Sequence, residues 1–432
     1  MIEWKKIKID KLCNVMKGIT GLAKATPGQY PLVTTGHKIK TCNEYQFNTK
    51  AVCIPLVSST GHGKKTLSYV HYQEGKFALG SILAAVIPKD DKELDAKYLH
   101  LYLSFYKDRI IVPLMRGAAN VSLSIKDIKK IDIPLPPINI QKSIIGKYYR
   151  MKPTSDKLLK LLNYQIVFFK QLRQAILQEA VEGKLTVDWR KKHTELISGE
   201  NSAENLLKKI KIEKEQLIKE KKIKKQKSLL PISEEEKSFK IPEGWIWIRV
   251  GEVIEIIMGQ SPPGYSYNKK GVGLPFFQGK KEFGIIYPKG NSVWCHKPKR
   301  ISRKNDILIS VRAPVGDINL SDKEYSIGRG LSIIRNFSKN LLTWYTYFFL
   351  DAIKNQWDVK GSFFSAITKE IIINRIFPLP SIFEQQVIVN RISNFMNIVD
   401  ELEKQVIERK EQTTQLMHSV LREAFEQKQE NI

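Results

Sequence analysis

The stretch QLRQAILQEAVE at residues 171–182 recurs as QLMHSVLREAFE at residues 415–426. The two copies lie 244 residues apart, and the same offset aligns IPLP at 133–136 with FPLP at 377–380. Chance does not keep one register over so long a stretch, so the chain contains an internal duplication. Each copy reads as a domain followed by a helical segment, which predicts an A-B-A-B architecture.

Further residue pairs follow this register. At the same offset they are Arg116–Gly117 with Lys360–Gly361, Ser124 with Thr368, Gln141 with Gln385, and Leu158 with Leu402. Towards the start of each copy, Trp4 and Gly18 match Trp247 and Gly259 at a slightly smaller offset, which implies loops of different length.

Short apolar and β-branched runs separated by Gly, Pro and Asn fill each A part, as is typical of strands. They include residues 76–88 in the first copy and residues 306–320 and 325–337 in the second. The aromatic-rich stretches 95–106 and 340–353 have helical spacing, and we expect their rings to pack in a core against those sheets. The predicted fold class is α+β, with two repeated mixed α/β domains.

Each B part follows a proline-rich exit and is predicted to be helical. Pro153–Thr154–Ser155 is expected to end an incoming helix and to cap a long helix over about residues 155–182. That helix carries a stripe suited to pairing with another helix, formed by Leu158, Leu162, Gln165, Phe169, Leu172 and Ile176. Because the second copy keeps the spacing, we expect the long helices to form an antiparallel, coiled-coil-like pair with pseudo-two-fold symmetry between the repeats.

A lysine-rich segment at residues 186–240 separates the copies. Its stretch 206–227 contains ten lysines and three glutamates. We expect a solvated helix or a flexible linker here, in preference to an arm dedicated to DNA, although the charge would raise non-specific DNA affinity.

The whole chain is basic. In 432 residues, 71 lysines and arginines face 44 acidic residues, for a formal net charge of +27. Such an excess favours nucleic acid as partner over a merely soluble basic protein or a membrane surface. No stretch approaches the roughly 20 apolar residues of a membrane span, and the first residues lack an apolar signal-peptide core, so we expect a cytosolic protein. The cysteines have no C-x-x-C spacing, so neither a metal site nor a disulfide framework is predicted.

Several segments carry a resemblance to a known family: GWIWIRVGEVIEIIMGQSP (244–262), NDILISVRAPVGDIN (305–319), GRGLSIIR (328–335), the exits DIPLPPINIQ and IFPLPSIFEQQ, and RQAILQEAVEGKL (173–185). In this order they resemble type I restriction-modification specificity subunits. The resemblance covers essentially the whole chain. It depends on the order of the segments together with the duplication, since no single motif is decisive.

The resemblance implies a division of the chain and a set of partners. Two target-recognition domains, residues 1–137 and 241–380, would each read one half of a split, asymmetric site in double-stranded DNA. Helical spacers at 138–185 and 381–432 would set the gap and dock two modification subunits, with the linker at 186–240. The partners would methylate adenine N6 with S-adenosylmethionine and, through restriction (motor-nuclease) subunits that use ATP and Mg, cleave DNA. This chain would be non-catalytic, hold no cofactor, and act in the prokaryotic cytosol.

Two other classes of function stay open from the residues alone. One is a coiled-coil scaffold that binds DNA without sequence preference, and the other is a self-contained DNA-modifying enzyme. The near-matches to catalytic motifs are incomplete, since SSTGHGKKT at 58–66 lacks the first glycine and the final Ser or Thr of a phosphate loop. SPPGY at 261–265 has Gly264 where an amino-methyltransferase has an aromatic residue, and PKDDKELDAK at 88–97 is too compressed for a nuclease core. We predict no catalytic and no metal-binding residue.

Candidate DNA-binding residues are long polar side chains on loops next to glycine, where they can reach base edges. The first domain offers Ser59, Thr60, His62, Lys64, Lys65, Arg116 and Asn120, and the second Gln278, Lys280, Lys281, Arg312, Arg329, Lys360 and Ser362. Most are expected to contact phosphates, since about half or more of protein–DNA hydrogen bonds go to the backbone. Arg116 and Lys360 are favoured because both copies keep a cation before glycine.

Overall fold

Two units make up the chain. Unit 1 comprises Met1–Tyr164 and Gln405–Ile432, and unit 2 comprises Gln165–Lys404. In the computed structural model the described residues are 4–23, 25–60, 63–226, 228–357 and 366–426.

The strands of unit 1 form two sheets of four strands, with the orders β2-β9-β6-β7 and β4-β3-β8-β5, and a separate pair β1-β10. These strands are β1 (Lys6–Lys8), β2 (Cys13–Lys17), β3 (Tyr30–Val33), β4 (Lys40–Cys42), β5 (Phe47–Asn48), β6 (Ala51–Pro55), β7 (His71–Gln73), β8 (Lys76–Leu79), β9 (Leu83–Pro88) and β10 (Asp132–Pro134). The helices α1 (Ile9–Leu12), α2 (Ala96–Ile110) and α3 (Ile125–Lys129) accompany them. Tyr98 and Leu99 of α2 are fully buried in the core of this unit, as predicted for the aromatic-rich stretch.

The other helices are the two long helices, α4 and α10, and the shorter helices of unit 2. Their bounds are α4 (Ile138–Val181), α5 (Val187–Lys192), α6 (Ala203–Lys219), α7 (Val250–Val253), α8 (Thr343–Ala352), α9 (Lys369–Ile373) and α10 (Ile382–Glu426). Each of the long helices α4 and α10 contributes one stretch to unit 1 and one to unit 2. None of the described helices is long and apolar enough to cross a membrane.

The strands of unit 2 repeat the plan of unit 1, with the sheet orders β12-β20-β17-β18 and β13-β15-β14-β19-β16 and the pair β11-β21. Their bounds are β11 (Ile246–Arg249), β12 (Ile254–Met258), β13 (Tyr267–Asn268), β14 (Leu274–Phe277), β15 (Trp294–Cys295), β16 (Ile301–Ser302), β17 (Ile307–Ser310), β18 (Ile318–Leu320), β19 (Tyr325–Ile327), β20 (Leu331–Asn336) and β21 (Ile376–Leu379). A parallel pairing also recurs, β3 with β8 and β14 with β19. The predicted duplication of a mixed α/β domain is therefore confirmed.

Matched residues make matched hydrogen bonds. The buried Gln141 accepts from the N–H of Asp95 at 2.9 Å and donates to the carbonyl of Pro136 at 2.8 Å. Gln385 likewise accepts from the N–H of Leu342 at 3.0 Å and donates to the last proline carbonyl of its own exit at 3.2 Å. In each unit the amide ties the start of the aromatic helix to the proline-rich exit, which explains why both copies keep glutamine.

One predicted match is wrong by two residues. Strand pairing places Lys6 opposite Pro134 and Trp247 opposite Pro378. Because the two prolines are equivalent, Lys6 corresponds to Trp247, and Trp4 corresponds to Trp245. The second copy has two tryptophans two residues apart, Trp245 and Trp247, and the strand register identifies Trp245 as the match.

The predicted helix break at Pro153 is also wrong. Helix α4 runs without interruption from Ile138 to Val181 with Pro153 inside it. Proline removes one helical hydrogen bond and crowds the preceding turn, a cost of about 3 kcal/mol. Here Ile144 and Tyr148 before the proline pack on the core of unit 1, and Leu162 after it is buried, so packing on both sides outweighs that cost.

Within unit 2, α4 and α10 lie antiparallel, as expected. Arg173 of α4 forms ion pairs with Asp400 and Glu403 of α10, while Asp188, beyond the end of α4, pairs with the earlier Arg391. Only part of the predicted stripe is buried. Leu162, Phe169 and Ile176 are buried, whereas Leu158 and Gln165 are exposed. Other apolar residues of these helices, such as Tyr164 and Phe168 of α4, are exposed.

The lysine-rich segment contains a helix, α6, whose lysines are mostly exposed, as expected for a solvated helix, but one face of this helix is docked on unit 2. In α6, Leu206 and Ile210 are buried, and Lys214 donates from Nζ to the carbonyl of Gly251 at 2.7 Å. Beyond α6, the buried Arg249 donates to the carbonyls of Leu230 and Pro231 and forms an ion pair with Glu236 at 2.6 Å. A pattern of lysines predicts solvation, but it does not reveal the few apolar and polar contacts that dock the helix.

Candidate nucleic-acid interface

Loops from distant parts of the sequence meet at one end of unit 1. The N–H of Gly80, after β8, donates to the carbonyl of Val33, at the end of β3, at 3.0 Å. The N–H of Leu56, after β6, donates to the carbonyl of Ile82 at 2.8 Å. Since β3, β6 and β8 all end here, we call this end, with the loops that follow β3 and β6, the loop face of unit 1.

The candidate residues of the first domain come together on this face. The loop after β6 joins the loop around Arg116, since Ser58 N–H donates to Val121 O at 3.0 Å and Leu123 N–H to Leu56 O at 2.8 Å. The exposed candidates on these two adjoining loops are Ser59, Thr60, Lys64, Lys65, Arg116 and Asn120. His62 lies outside the described residues.

These candidates divide into two groups. Ser59 Oγ accepts from the N–H of Ser68 at 2.8 Å, and Thr60 Oγ1 lies 2.8 Å from Thr66 Oγ1, so both hydroxyls shape the loop. Arg116, by contrast, is 80% exposed and has a carboxylate partner, Asp127, only at 3.7 Å. Arg116 therefore projects next to a loop whose conformation is held by its own hydroxyl groups.

Unit 2 has a corresponding loop face. Gly330 N–H donates to Gln278 O at 3.1 Å, and Val311 N–H donates to Gly330 O at 3.0 Å, which brings Arg312 beside them. Gln278, Arg312 and Arg329 are exposed on these adjoining loops, and Lys281 is exposed three residues after Gln278 on the same loop. Lys360 and Ser362 lie outside the described residues.

Ser261 positions two of these candidates and was missed by the sequence analysis. Its Oγ donates to Gln278 Oε1 at 3.1 Å and accepts from the N–H of Arg329 at 3.4 Å. The residue stands in SPPGY, which had been considered only as a methyltransferase motif. The sequence did offer a sign of this role, because Ser261 follows Gly259 by two residues and Gly259 matches Gly18 of the first copy.

Lys280 is engaged within the protein. Its Nζ forms an ion pair with Asp317, on the loop that also carries Arg312. Glu282 follows on the same loop, and burial raises the pKa of its carboxyl group. Lys280 is therefore better placed to hold the two loops together than to reach DNA.

The glycines beside the candidates serve packing between loops. A Cβ on Gly330 would lie 2.3 Å from the carbonyl oxygen of Gln278, and one on Gly63 would lie 2.2 Å from that of Ala118. Glycine is thus required where loop meets loop, which differs from the expected role of letting the duplex approach.

The described ranges contain no group of three His, Cys, Asp or Glu side chains placed to hold a metal ion. The four cysteines are free thiols and all are buried. Burial raises the pKa of Cys13 and of Cys53 to about 12. Both are thus protonated thiols near neutral pH and pack as apolar side chains.

Known proteins are similar to this chain in sequence and in fold. The family described as type I restriction modification DNA specificity domain matches residues 1–147 and 242–412. A relative from Methanocaldococcus jannaschii, named as the type I restriction enzyme MjaX specificity subunit, is 30% identical over 369 residues, 82% of this chain and 73% of the relative. The EcoAI specificity subunit of Escherichia coli is 30% identical over 56% of this chain and 42% of its own length.

Two solved structures have a similar fold. A chain from work on complex assembly and conformational transition of the type I R-M system matches with a TM-score of 0.73 and 23% identity, over 99% of this chain and 98% of that one. The HsdS subunit from Thermoanaerobacter tengcongensis matches with a TM-score of 0.54 and 22% identity, over 98% and 97% of the two chains. With two matched segments that follow the duplicated domains, this chain belongs to the type I restriction-modification DNA specificity family.

Proposed function

We propose that this chain reads a bipartite, asymmetric site in double-stranded DNA, one half-site with each unit, and directs partner subunits to it. The observation that carries this proposal is a contrast between the two loop faces. The units share one strand plan, yet unit 1 has its long loop between β6 and β7, and unit 2 has its long loop between β14 and β15. Two copies of one scaffold with different loops are suited to two different half-sites.

The side chains assigned to DNA are those that project from the loop faces. They are Lys64, Lys65, Arg116 and Asn120 in unit 1 and Gln278, Lys281, Arg312 and Arg329 in unit 2, with His62, Lys360 and Ser362 kept as candidates from the sequence. Arginine and glutamine can hydrogen-bond base edges in the major groove, and lysine suits phosphates. Ser59, Thr60 and Lys280 shape the loops.

The modification and restriction subunits would dock away from the loop faces. The long helices α4 and α10 offer a surface for the modification subunits. On α4 the apolar residues Tyr164, Val167 and Phe168 are 56 to 61% exposed, and on α10 Ile398 and Leu416 are similarly exposed. Exposed apolar side chains in regular helical rows are typical of protein interfaces. We assign to them two modification subunits, which would supply S-adenosylmethionine-dependent methylation.

The remaining assignments follow from the same proposal. Restriction subunits with ATP and Mg would join for cleavage, and this chain would contribute no catalytic group and no cofactor of its own, in the prokaryotic cytosol. We keep residues 1–137 and 241–380 as target-recognition domains, 138–185 and 381–432 as spacers, and 186–240 as the intervening segment.

Single-molecule methylome sequencing tests the proposal. A host expresses the modification subunit with or without this chain, and expression of the modification subunit is verified in both. We expect a split, asymmetric motif, with one methylated adenine on each strand, that disappears when the chain is omitted. An unchanged methylome would contradict the proposal and favour a non-specific scaffold, and methyl transfer by the purified chain alone would instead reveal an enzyme.

A further inference from the structure

Two loops of unit 1 touch through a pair of aromatic rings. The ring of His37, on the loop after β3 (residues 34–39), lies 5.3 Å from the ring of Tyr69, near the end of the loop after β6. The Tyr69 ring in turn lies 6.0 Å from that of His71, the first residue of β7. The loop after β3 is therefore braced against the loop that carries candidate DNA-binding cations.

Strand register places this contact on the loop face of unit 1. His71 pairs with Cys53 of β6 in an antiparallel ladder, so Tyr69, two residues earlier, lies beside the end of β6. His37 follows β3, which ends on the same face. Both rings thus lie at the end of unit 1 where its candidate DNA-binding residues come together.

The braced loop presents two exposed lysines, Lys38 and Lys40, the second of them at the start of β4. Neither ammonium group has a hydrogen-bond or ion-pair partner among the residues that the structure describes. Other lysines of this unit do pair, as Lys50 does with Asp91 at 3.3 Å. Lys38 and Lys40 are therefore free to bind an external anion.

Charge is divided between the two ends of unit 1. None of residues 34–39, 56–70 and 115–123, which lie on the loop face, is acidic. Strands β7 and β9 both run antiparallel to β6, so they end at the opposite side. That side carries the acidic residues Glu74, Asp90, Asp91, Glu93 and Asp95. Loops with cations and without carboxylates suit the phosphates of DNA.

We propose that Lys38 and Lys40 bind phosphates of the DNA backbone beside the half-site of unit 1, and that the His37–Tyr69 contact positions their loop. This inference rests on the proposed function and adds a phosphate-binding patch to the interface of unit 1. Lysine binds phosphate as a point charge, and phosphate contacts fix the register of a protein on DNA without reading its sequence. The patch therefore contributes affinity, and the neighbouring loops supply the base contacts.

The salt dependence of DNA binding tests the two lysines. The complex of this chain with its modification subunits is titrated with the target found by methylome sequencing, or with a scrambled duplex, at several salt concentrations. Each phosphate contact contributes about 0.9 to the slope of log affinity against log salt, so the double variant Lys38→Ala with Lys40→Ala should have a slope shallower by about 1.8 on both duplexes. Its methylated motif should stay unchanged, because phosphate contacts carry no sequence information.

The matched control is the double variant Lys11→Ala with Lys92→Ala. Both lysines are exposed, one just before β2 and one just after β9, and the start of β2 pairs with the end of β9 at the side opposite to the loop face. The control removes the same charge from the wrong end of unit 1, so it should keep the wild-type slope.

Two variants of Tyr69 test the bracing contact. Tyr69→Phe keeps the ring beside His37 and should have the wild-type slope. Tyr69→Ala removes the ring, so the loop loses its support and the slope should become shallower. Equal slopes for Tyr69→Ala and wild type, or a Tyr69→Phe variant that behaves as Tyr69→Ala does, would refute the positioning role.

The possible failures are distinguishable. A wild-type slope for the variant without Lys38 and Lys40, or an equal change in the control, would overturn the inference. If the wild-type complex binds scrambled DNA as tightly as the target, the proposed function fails instead, and the salt slopes still decide whether the patch binds phosphate.

Discussion

At the scale of single residues, Glu384 is a fully buried carboxylate that three side chains of unit 2 hydrogen-bond. Its buried carboxylate accepts from Thr186 Oγ1 at 2.6 Å, from Arg190 Nη1 at 2.5 Å and from Trp245 Nε1 at 2.8 Å. It thereby joins the segment after α4, the residue that precedes β11 and the start of α10. The matched residue of the first copy is Ile140, so this junction belongs to unit 2 alone.

We expect Glu384→Ala to lower the free energy of unfolding by roughly 3–5 kcal/mol, because it leaves the largely buried Arg190 without its partner. Urea unfolding followed by circular dichroism measures the change, and Glu408→Ala, at an exposed position of α10, is the matched control. Equal stabilities of the two variants would show that the carboxylate is not required for this junction.

At the scale of elements, the segment from Leu230 to Glu236 is tied to unit 2 through one guanidinium group. Arg249 is almost fully buried and binds carbonyls of this segment as well as the Glu236 carboxylate. The hydrogen bonds from Arg249 lower the pKa of Glu236 from 4.5 to about 2. The segment is therefore an electrostatically held part of the domain.

The lowered pKa of Glu236 predicts a pH dependence. A carboxyl group with a lowered folded-state pKa stabilises the fold fully above its unfolded value, and that contribution is lost as pH falls through the folded value. Wild type should thus be more stable than Glu236→Gln above pH 4.5, and the difference should shrink as pH falls towards about 2. Unfolding free energies measured across this range test it, with Glu243→Gln as an exposed control. A difference that stays constant with pH would assign the effect of the substitution to packing.

At the scale of the whole molecule, each unit is expected to read its half-site by itself. Arg116→Ala removes a cation from the loop face of unit 1, and Arg329→Ala removes one from that of unit 2. A base contact of this kind contributes about 1–3 kcal/mol of discrimination. Each substitution should therefore relax one half of the methylated motif and leave the other half unchanged, as measured by methylome sequencing. Relaxation of the same half by both variants would contradict the assignment of one half-site to each unit.

The sequence by itself determined the duplication, the α+β class, the strand runs and the family. These features depend on local periodicity and on the register of the repeat, and both can be recognised in the order of residues alone. Tyr98 and Tyr345 illustrate this, since helical spacing predicted that both would be core residues, and each is fully buried. Matched residues such as Gln141 and Gln385 could likewise be paired before their hydrogen bonds were known.

Only the tertiary structure decided how distant segments meet. Strand pairing showed that Trp4 matches Trp245. Packing on both sides of Pro153 keeps α4 helical through the proline. A few buried contacts dock the lysine-rich helix on unit 2. The same holds for the loop face of unit 2, where Lys280 forms an ion pair with Asp317. Burial, ion pairing and exposure depend on which residues become neighbours in space, and that is set by packing between segments that are far apart in sequence.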